Sequence, residues 1–208
     1  MGVEPEQRPV LRLASASPRR RQLLELIGVP HVVTPADIDE TPRAGEAPKD
    51  YVLRLALEKA EAVFTRLADL PVLAADTTVV VGDEILGKPE SETEAHAMLG
   101  KLSGREHYVH TGVALHTQSQ QLRAHSYTQV YFAPLSSAEI HAYWESGEPQ
   151  GKAGAYAIQG LGAVFITGIS GSYTGVMGLP LFETAFLLRK AGIQVWNGKL
   201  PELDGGIE

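Results

Sequence analysis

The segment Val72-Leu73-Ala74-Ala75-Asp76-Thr77-Thr78-Val79-Val80-Val81 constrains this chain more than any other. Six of its ten residues are β-branched, which disfavours a helix and suits a strand covered on both faces. Gly82-Asp83 then supplies a hairpin turn, and Glu84-Ile85-Leu86 the return strand. Asp76 interrupts the apolar run. An ionised carboxylate amid Ala and Val is costly unless a cation or a metal pairs with it. A buried structural acid with a partner is one reading; an acid that does chemistry is the other.

A strand covered on both faces needs layers, and the flanking sequence supplies them. From Pro48 to Leu67, steps of about 100° put Val52, Leu53, Ala56, Ala60, Val63, Phe64 and Leu67 on one helix face. Arg54, Glu58, Glu61 and Thr65 lie opposite. Lys59 falls at the edge of the apolar face. Its stem can cover apolar surface while the amine reaches water, or the amine can point into a pocket beside the sheet. Val10 to Ala14, His31 to Thr34, Glu106 to His116, Gln121 to Phe132 and Ala163 to Ile169 read as strands. Ser91 to Leu99 reads as a helix opened by a capping box between Ser91 and Glu94. Ser136 or Ser137 caps a helix running to Glu145, and a last amphipathic helix runs from Leu179-Pro180 to Gly192. Helices interleaved with strands, in 208 residues of which 44% are hydrophobic, predict one α/β domain, or a domain with a small lobe. The ends, 1–9 and 199–208, are expected to fray.

Composition removes several functions. Without cysteine there is no disulfide framework, thiolate metal site or thiol nucleophile. A net charge of −7 disfavours a nucleic-acid polymer as ligand, but allows a small phosphorylated one in a local basic pocket. With neither a signal peptide nor a membrane-length apolar run, the cytoplasm is the expected compartment and no membrane partner is expected. The seven histidines show no HExxH spacing and read as structural. The glycine clusters match neither a P-loop nor a dinucleotide fingerprint, and G-x-S-x-G is missing.

Ser15-Ala16-Ser17-Pro18-Arg19-Arg20-Arg21 carries the clearest chemical signal. Ser17 suits a helix N-cap, and Pro18 the first helical position. A helix N-terminus already bears about half a positive charge, so arginines in its first turn are unfavourable unless an anion sits there. Phosphate is the natural anion for backbone N–H groups, hydroxyls and guanidiniums gathered at one point; a basic surface turn is the alternative. Asp37, Asp39 and Glu40 crowd a Pro-rich loop that is either a solvated turn or a metal or acid–base site. Gly87-Lys88-Pro89 adds a cation at a strand end. In the Gly-rich run from Gly151 to Gly162, Gln159 is either an ordinary turn amide or one that reads a base.

Together, Ser15-Ala16-Ser17-Pro18-Arg19-Arg20, Asp39-Glu40-Thr41-Pro42, Glu58-Lys59-Ala60, Ala75-Asp76-Thr77, Gly87-Lys88-Pro89 and Gly151 through Gly162 resemble the Maf family, in the family's order, over about 10–193. The resemblance implies an α/β fold similar to the inosine-triphosphate pyrophosphatases, with a mixed sheet, flanking helices and a cleft between two lobes. It implies cleavage of a nucleoside triphosphate to the monophosphate and diphosphate, dependent on a divalent cation, Mg2+ or Mn2+. Ser15, Arg19, Arg20, Lys59 and Lys88 would bind phosphate, and Glu40 and Asp76 would be the acids and metal ligands. The sequence resembles the branch acting on dTTP and UTP, in which Arg19, Thr77 and Gln159 are tied to base choice. A homodimer is what the family suggests. Arg21 and the extended N-terminus depart from the pattern.

One carboxylate cannot easily be both strong metal ligand and free base, so Asp76 is assigned as the base and Glu40 as the main ligand. The Gln159 amide offers an acceptor beside a donor, matching uracil or thymine and, when flipped, cytosine. Purines are thus expected to be rejected by slot size, and CTP incompletely. The competing readings are a non-catalytic, nucleotide-sensing regulator of cell division and septum formation, and a purine-specific house-cleaning pyrophosphatase.

Overall fold

The computed structural model describes residues 8–196. Seven strands form one mixed sheet in the order β2-β1-β3-β5-β6-β7, with β4 hydrogen-bonded to β3 off that path. The strands are β1 (Leu11–Leu13), β2 (His31–Val33), β3 (Val72–Val81), β4 (Glu84–Leu86), β5 (Glu106–His116), β6 (Gln121–Phe132) and β7 (Ile166–Ser170). β1 runs parallel to β2 and β3, and every other pairing is antiparallel. The helices are α1 (Pro18–Leu26), α2 (Pro48–Arg66), α3 (Glu92–Leu102), α4 (Ser137–Glu145), the single turn α5 (Tyr173–Val176) and α6 (Leu181–Lys190). The α/β expectation and the order of its main elements agree with this architecture.

β3 organises the core through its alternation. Leu73 and Ala75 point into a cluster with Leu23, Leu24, Leu187 and Leu188 of α1 and α6. Further along the same face, Val79 and Val81 join Leu99, Ile140 and Tyr143 from α3 and α4. On the opposite face, Val72 and Ala74 meet Ala56, Ala60 and Val63 of α2, as a period of two requires. α2 lies so close on the sheet that a side-chain carbon at Gly112 of β5 would collide with the Val52 carbonyl. Only glycine admits that approach.

The edge of β3 places the candidate site. β1 pairs with it as far as Leu13 opposite Leu73, and pairing with β4 begins only at Val79, opposite Leu86. Between those points β3 is paired with β5 alone among the described residues. Asp76 and Thr77 therefore sit on an open stretch just beyond the carboxyl end of β1, the usual place for a ligand in such sheets.

Several local expectations need correction. β1 is shorter than Val10 to Ala14. Ser91 accepts from the Glu94 N–H at 3.2 Å, but the Glu94 carboxylate reaches the Glu90 N–H rather than that of Ser91, so only half of that capping box forms. The complete box belongs to Ser136 and Glu139. Ala163 to Phe165 lie in a 3-10 turn (Leu161–Phe165), not a strand, because the Gly160 and Gly162 region bends the chain before β7 can pair. The α2 face turns toward Leu55 and Lys59, which are buried, while Leu53 and Phe64 are only partly so. The expected frayed ends lie almost wholly outside the described residues.

Candidate active site

A pocket of about 1330 Å³ opens over the free stretch of β3. The residues that the family resemblance assigns to binding and chemistry line it: Ser15, Arg19 and Arg20 from the β1–α1 turn, Glu40 from the acidic loop, Lys59 from α2, Asp76 and Thr77 from β3, Lys88 after β4, and Gln159 from the Gly-rich turn; Asp37 and Asp39 of the acidic loop do not.

At its centre, the Lys59 ammonium lies 2.6 Å from Asp76 Oδ1 and 2.7 Å from Glu40 Oε1. The Lys59 and Asp76 side chains are 8% and 10% exposed, so the amine does not reach into water. The partner that Asp76 needed is this lysine, one layer away on α2. Burial pushes the Glu40 carboxyl up, but the hydrogen bond and charge of Lys59, with the charges of Lys88 and Arg20, outweigh it and hold the group below the usual carboxylate range.

The β1–α1 turn is built to aim Arg20. Ser15 Oγ accepts from the Ser17 N–H at 3.2 Å and from Arg20 Nη1 at 3.3 Å. Arg20 Nε donates to the Gly178 carbonyl at 2.8 Å, and Nη2 to Thr77 Oγ1 at 3.3 Å. Ser17 stands at the N-cap position, but its side chain makes no capping bond. Thr111 Oγ1 donates to the Gly175 carbonyl at 2.8 Å and lies 3.0 Å from Thr77 Oγ1. The Thr77 proton is thus directed to Thr111, which leaves its oxygen to orient Arg20. Burial pushes the Arg20 guanidinium below its ordinary value, against the pull of Asp76 and Glu40. Arg21 is outside this site and pairs with Glu25 at 3.4 Å.

Arg19 turns the other way. In the amide orientation that satisfies both groups, the Gln159 carbonyl accepts from Arg19 Nε at 2.6 Å and Nη2 at 3.3 Å. That contact fixes which side of the amide is donor and which acceptor.

Two supports were not anticipated. Tyr51, on the same flank of α2 as Lys59, donates to the Glu40 carbonyl at 2.9 Å. Burial, with the charges of Asp76 and Glu40, pushes its phenol up to about 12, so it stays a donor. The four-residue steps Tyr51, Leu55, Lys59 would have revealed it. Arg54 clamps the acidic loop onto α2, gripping Glu46 through Nε at 2.6 Å and Nη2 at 2.7 Å and Glu58 through Nη1 at 3.1 Å. Its exposed-looking helical position gave no hint of this.

The Lys59 ammonium fills the point between Glu40 Oε1 and Asp76 Oδ1, so a divalent cation would have to use the other oxygen of these carboxylates, hard donors of the kind that suit Mg2+ or Mn2+. A group of three whose ligand atoms lie within 4.8 Å of one another, Glu92, His141 and Glu145, is exposed and lines no part of the pocket. His107 is buried against the Tyr156 hydroxyl, and His110 faces His125 on the other side of the sheet. None of the histidines lines the pocket.

A basic, acid-centred pocket at a strand edge of a mixed α/β sheet is the architecture of a phosphate-ester or anhydride site. The comparisons narrow the class. The model of the Maf-like protein family matches residues 10–191, and the chain belongs to that family. A protein of Methylobacillus flagellatus named dTTP/UTP pyrophosphatase is 57% identical over 185 residues, covering 88% of this chain and 93% of that one. Another of that name from Myxococcus xanthus is 54% identical, covering 88% and 93%. Among solved structures, a HAM1 protein from Coxiella burnetii matches with a TM-score of 0.46 at 19% identity, over 86% of this chain and 98% of that one.

Proposed function

We propose that this protein, as one domain over 10–193, hydrolyses dTTP and UTP to the nucleoside monophosphate and diphosphate. The observation that carries the reading is the Lys59 ammonium held between Glu40 and Asp76 in a pocket shared with Arg19, Arg20 and Lys88. A nucleoside triphosphate brings about four negative charges, and these cations meet them. Family membership and relatives named for the same enzyme activity support it; a regulator that only senses nucleotide is not favoured.

In the proposed reaction a water oxygen attacks the α-phosphorus. The bond from that phosphorus to the bridging oxygen breaks, and its electron pair leaves with the diphosphate. Asp76 takes the proton from the water; Lys59 holds Asp76 by Oδ1, so Oδ2 receives it. Arg20, fixed by three partners, and Lys88 bind phosphate oxygens. Glu40, as the main ligand, would hold Mg2+ or Mn2+ through the oxygen that Lys59 leaves free, with Asp76 at most a weak second ligand before it takes the proton; such an ion, when bound, would neutralise triphosphate charge and lower the pKa of a bound water.

Gln159 keeps the short bond from Arg19 Nε, gives up the longer one from Nη2 to accept from N3–H of uracil or thymine, and donates its amide N–H to the neighbouring base carbonyl. A free amide could flip for cytosine. Arg19 opposes the flip, so CTP sees acceptor against acceptor and donor against donor. Thr77, on the wall of the same pocket, is the third residue assigned to base choice. The cytoplasm, where these nucleotides are used, and a homodimer complete the proposal.

The test is a panel of ordinary and modified nucleoside triphosphates, assayed for diphosphate release with Mg2+ and with Mn2+. UTP and dTTP are expected to lead, CTP to follow, and purines to be poor. Faster turnover of GTP than UTP would contradict the assignment.

A further inference from the structure

Gln159 can read a base only if the glycine-rich turn that carries it is held still, and a single carboxylate does most of the holding. Glu148, just after α4, accepts from the Leu161 N–H through Oε2 at 3.0 Å and from the Gly162 N–H through Oε1 at 3.0 Å. Its Oε1 also accepts from the Tyr143 hydroxyl at 2.7 Å. Tyr143 in turn accepts the Ala157 N–H at 3.0 Å. The pair therefore grips the turn on both sides of Gln159. Neighbouring glycines are spaced to admit it. A side-chain carbon at Gly160 would collide with the Glu148 carboxylate, and one at Gly162 would stand 2.6 Å from the Tyr143 oxygen.

We propose that Glu148 is a positioning residue for base selection, acting with Tyr143 through the 157–162 turn to hold Gln159 and Arg19 in register. This rests on the reading that Gln159 recognises the base. The charge of Arg19 reaches Glu148: burial pushes that carboxyl up, but the Gly162 N–H, the Tyr143 hydroxyl, the Leu161 N–H and Arg19 together hold it below its ordinary value. The carboxylate thus attracts the guanidinium that locks the amide. With Glu148 removed, two backbone N–H groups lose their acceptor, the turn loosens, and the amide can present either edge.

The test uses the full chain with diphosphate release as the readout, taking kcat and KM separately for UTP and CTP. Glu148→Ala is expected to raise KM for UTP more than it lowers kcat, and to cut the UTP over CTP ratio of kcat/KM about tenfold. Glu148→Gln, whose carbonyl can still accept at the Oε1 position, should recover most of that ratio. Tyr143→Phe, which keeps the carboxylate and removes one donor, should lower the ratio by about threefold, a readout that stands if Glu148→Ala fails to fold. A folded Glu148→Ala with an unchanged ratio overturns the proposal, and so does a loss confined to kcat. Gln159→Ala separates the levels. If it leaves the ratio of the wild type intact, the base-reading role falls and this proposal with it. If it abolishes the ratio while Glu148→Ala and Tyr143→Phe do not, only the role of Glu148 falls.

Discussion

Asp76 and Lys59 show how much of a site one residue can announce. A carboxylate inside an apolar strand demands a partner, and that demand was legible. The partner was not: Lys59 lies seventeen positions earlier, and helical phase alone left its amine between water and pocket. Packing decided it, because α2 sits against the Ala74 face of β3 and turns the Lys59 edge inward. Two predictions follow at this scale. Asp76→Asn keeps the shape but cannot take a proton, so kcat for UTP should drop at least about 100-fold; near-normal turnover would remove Asp76 as the base. Lys59→Met leaves a buried carboxylate without its cation and should cost about 3 kcal/mol of stability. Adding Asp76→Asn to Lys59→Met should restore part of that loss in thermal unfolding, since the uncompensated charge is gone. Equal stability of the single and double variants would show that the pair is not coupled.

Among the elements, α2, β3, β5 and β6 were readable because their periodicity is long and unbroken. The strand expected over Ala163 to Ile169 forms only from Ile166; Ala163 to Phe165 was misread, because a short apolar run is compatible with a strand or a 3-10 turn and the glycines beside it permit either. The supports of the site were hidden for a related reason. Arg54, Glu46 and Glu148 look like ordinary surface charges, and only the fold reveals what they hold. Arg54 and Glu46 pin the loop bearing Glu40 onto α2. The Arg54 guanidinium holds the Glu46 carboxyl at about 2, against an ordinary 4.5. A depressed carboxylate stabilises the fold fully above its unfolded pKa, and that contribution is lost as pH falls through the folded one. The clamp should therefore be at full strength above about pH 4.5 and fade toward pH 2. Glu46→Gln should flatten the fall of melting temperature across that window relative to the wild type. Parallel curves would mean that the loop is held by other contacts.

For the molecule as a whole, a chain of net charge −7 gathers four cations from three separate segments at one open stretch of β3. That convergence is what a polyphosphate site requires. The residues of the motifs line one pocket, and the sheet order explains why: β1 stops short, β4 pairs only further along, and the gap between them receives the β1–α1 turn, the acidic loop and the Gly-rich turn. The central claim is that water attacks the α-phosphorus of UTP in that gap. Hydrolysis of UTP in 18O-labelled water, with mass analysis of the products, tests it directly. The account predicts one labelled oxygen in UMP and none in the diphosphate; label in the diphosphate, or release of UDP and inorganic phosphate, would contradict it.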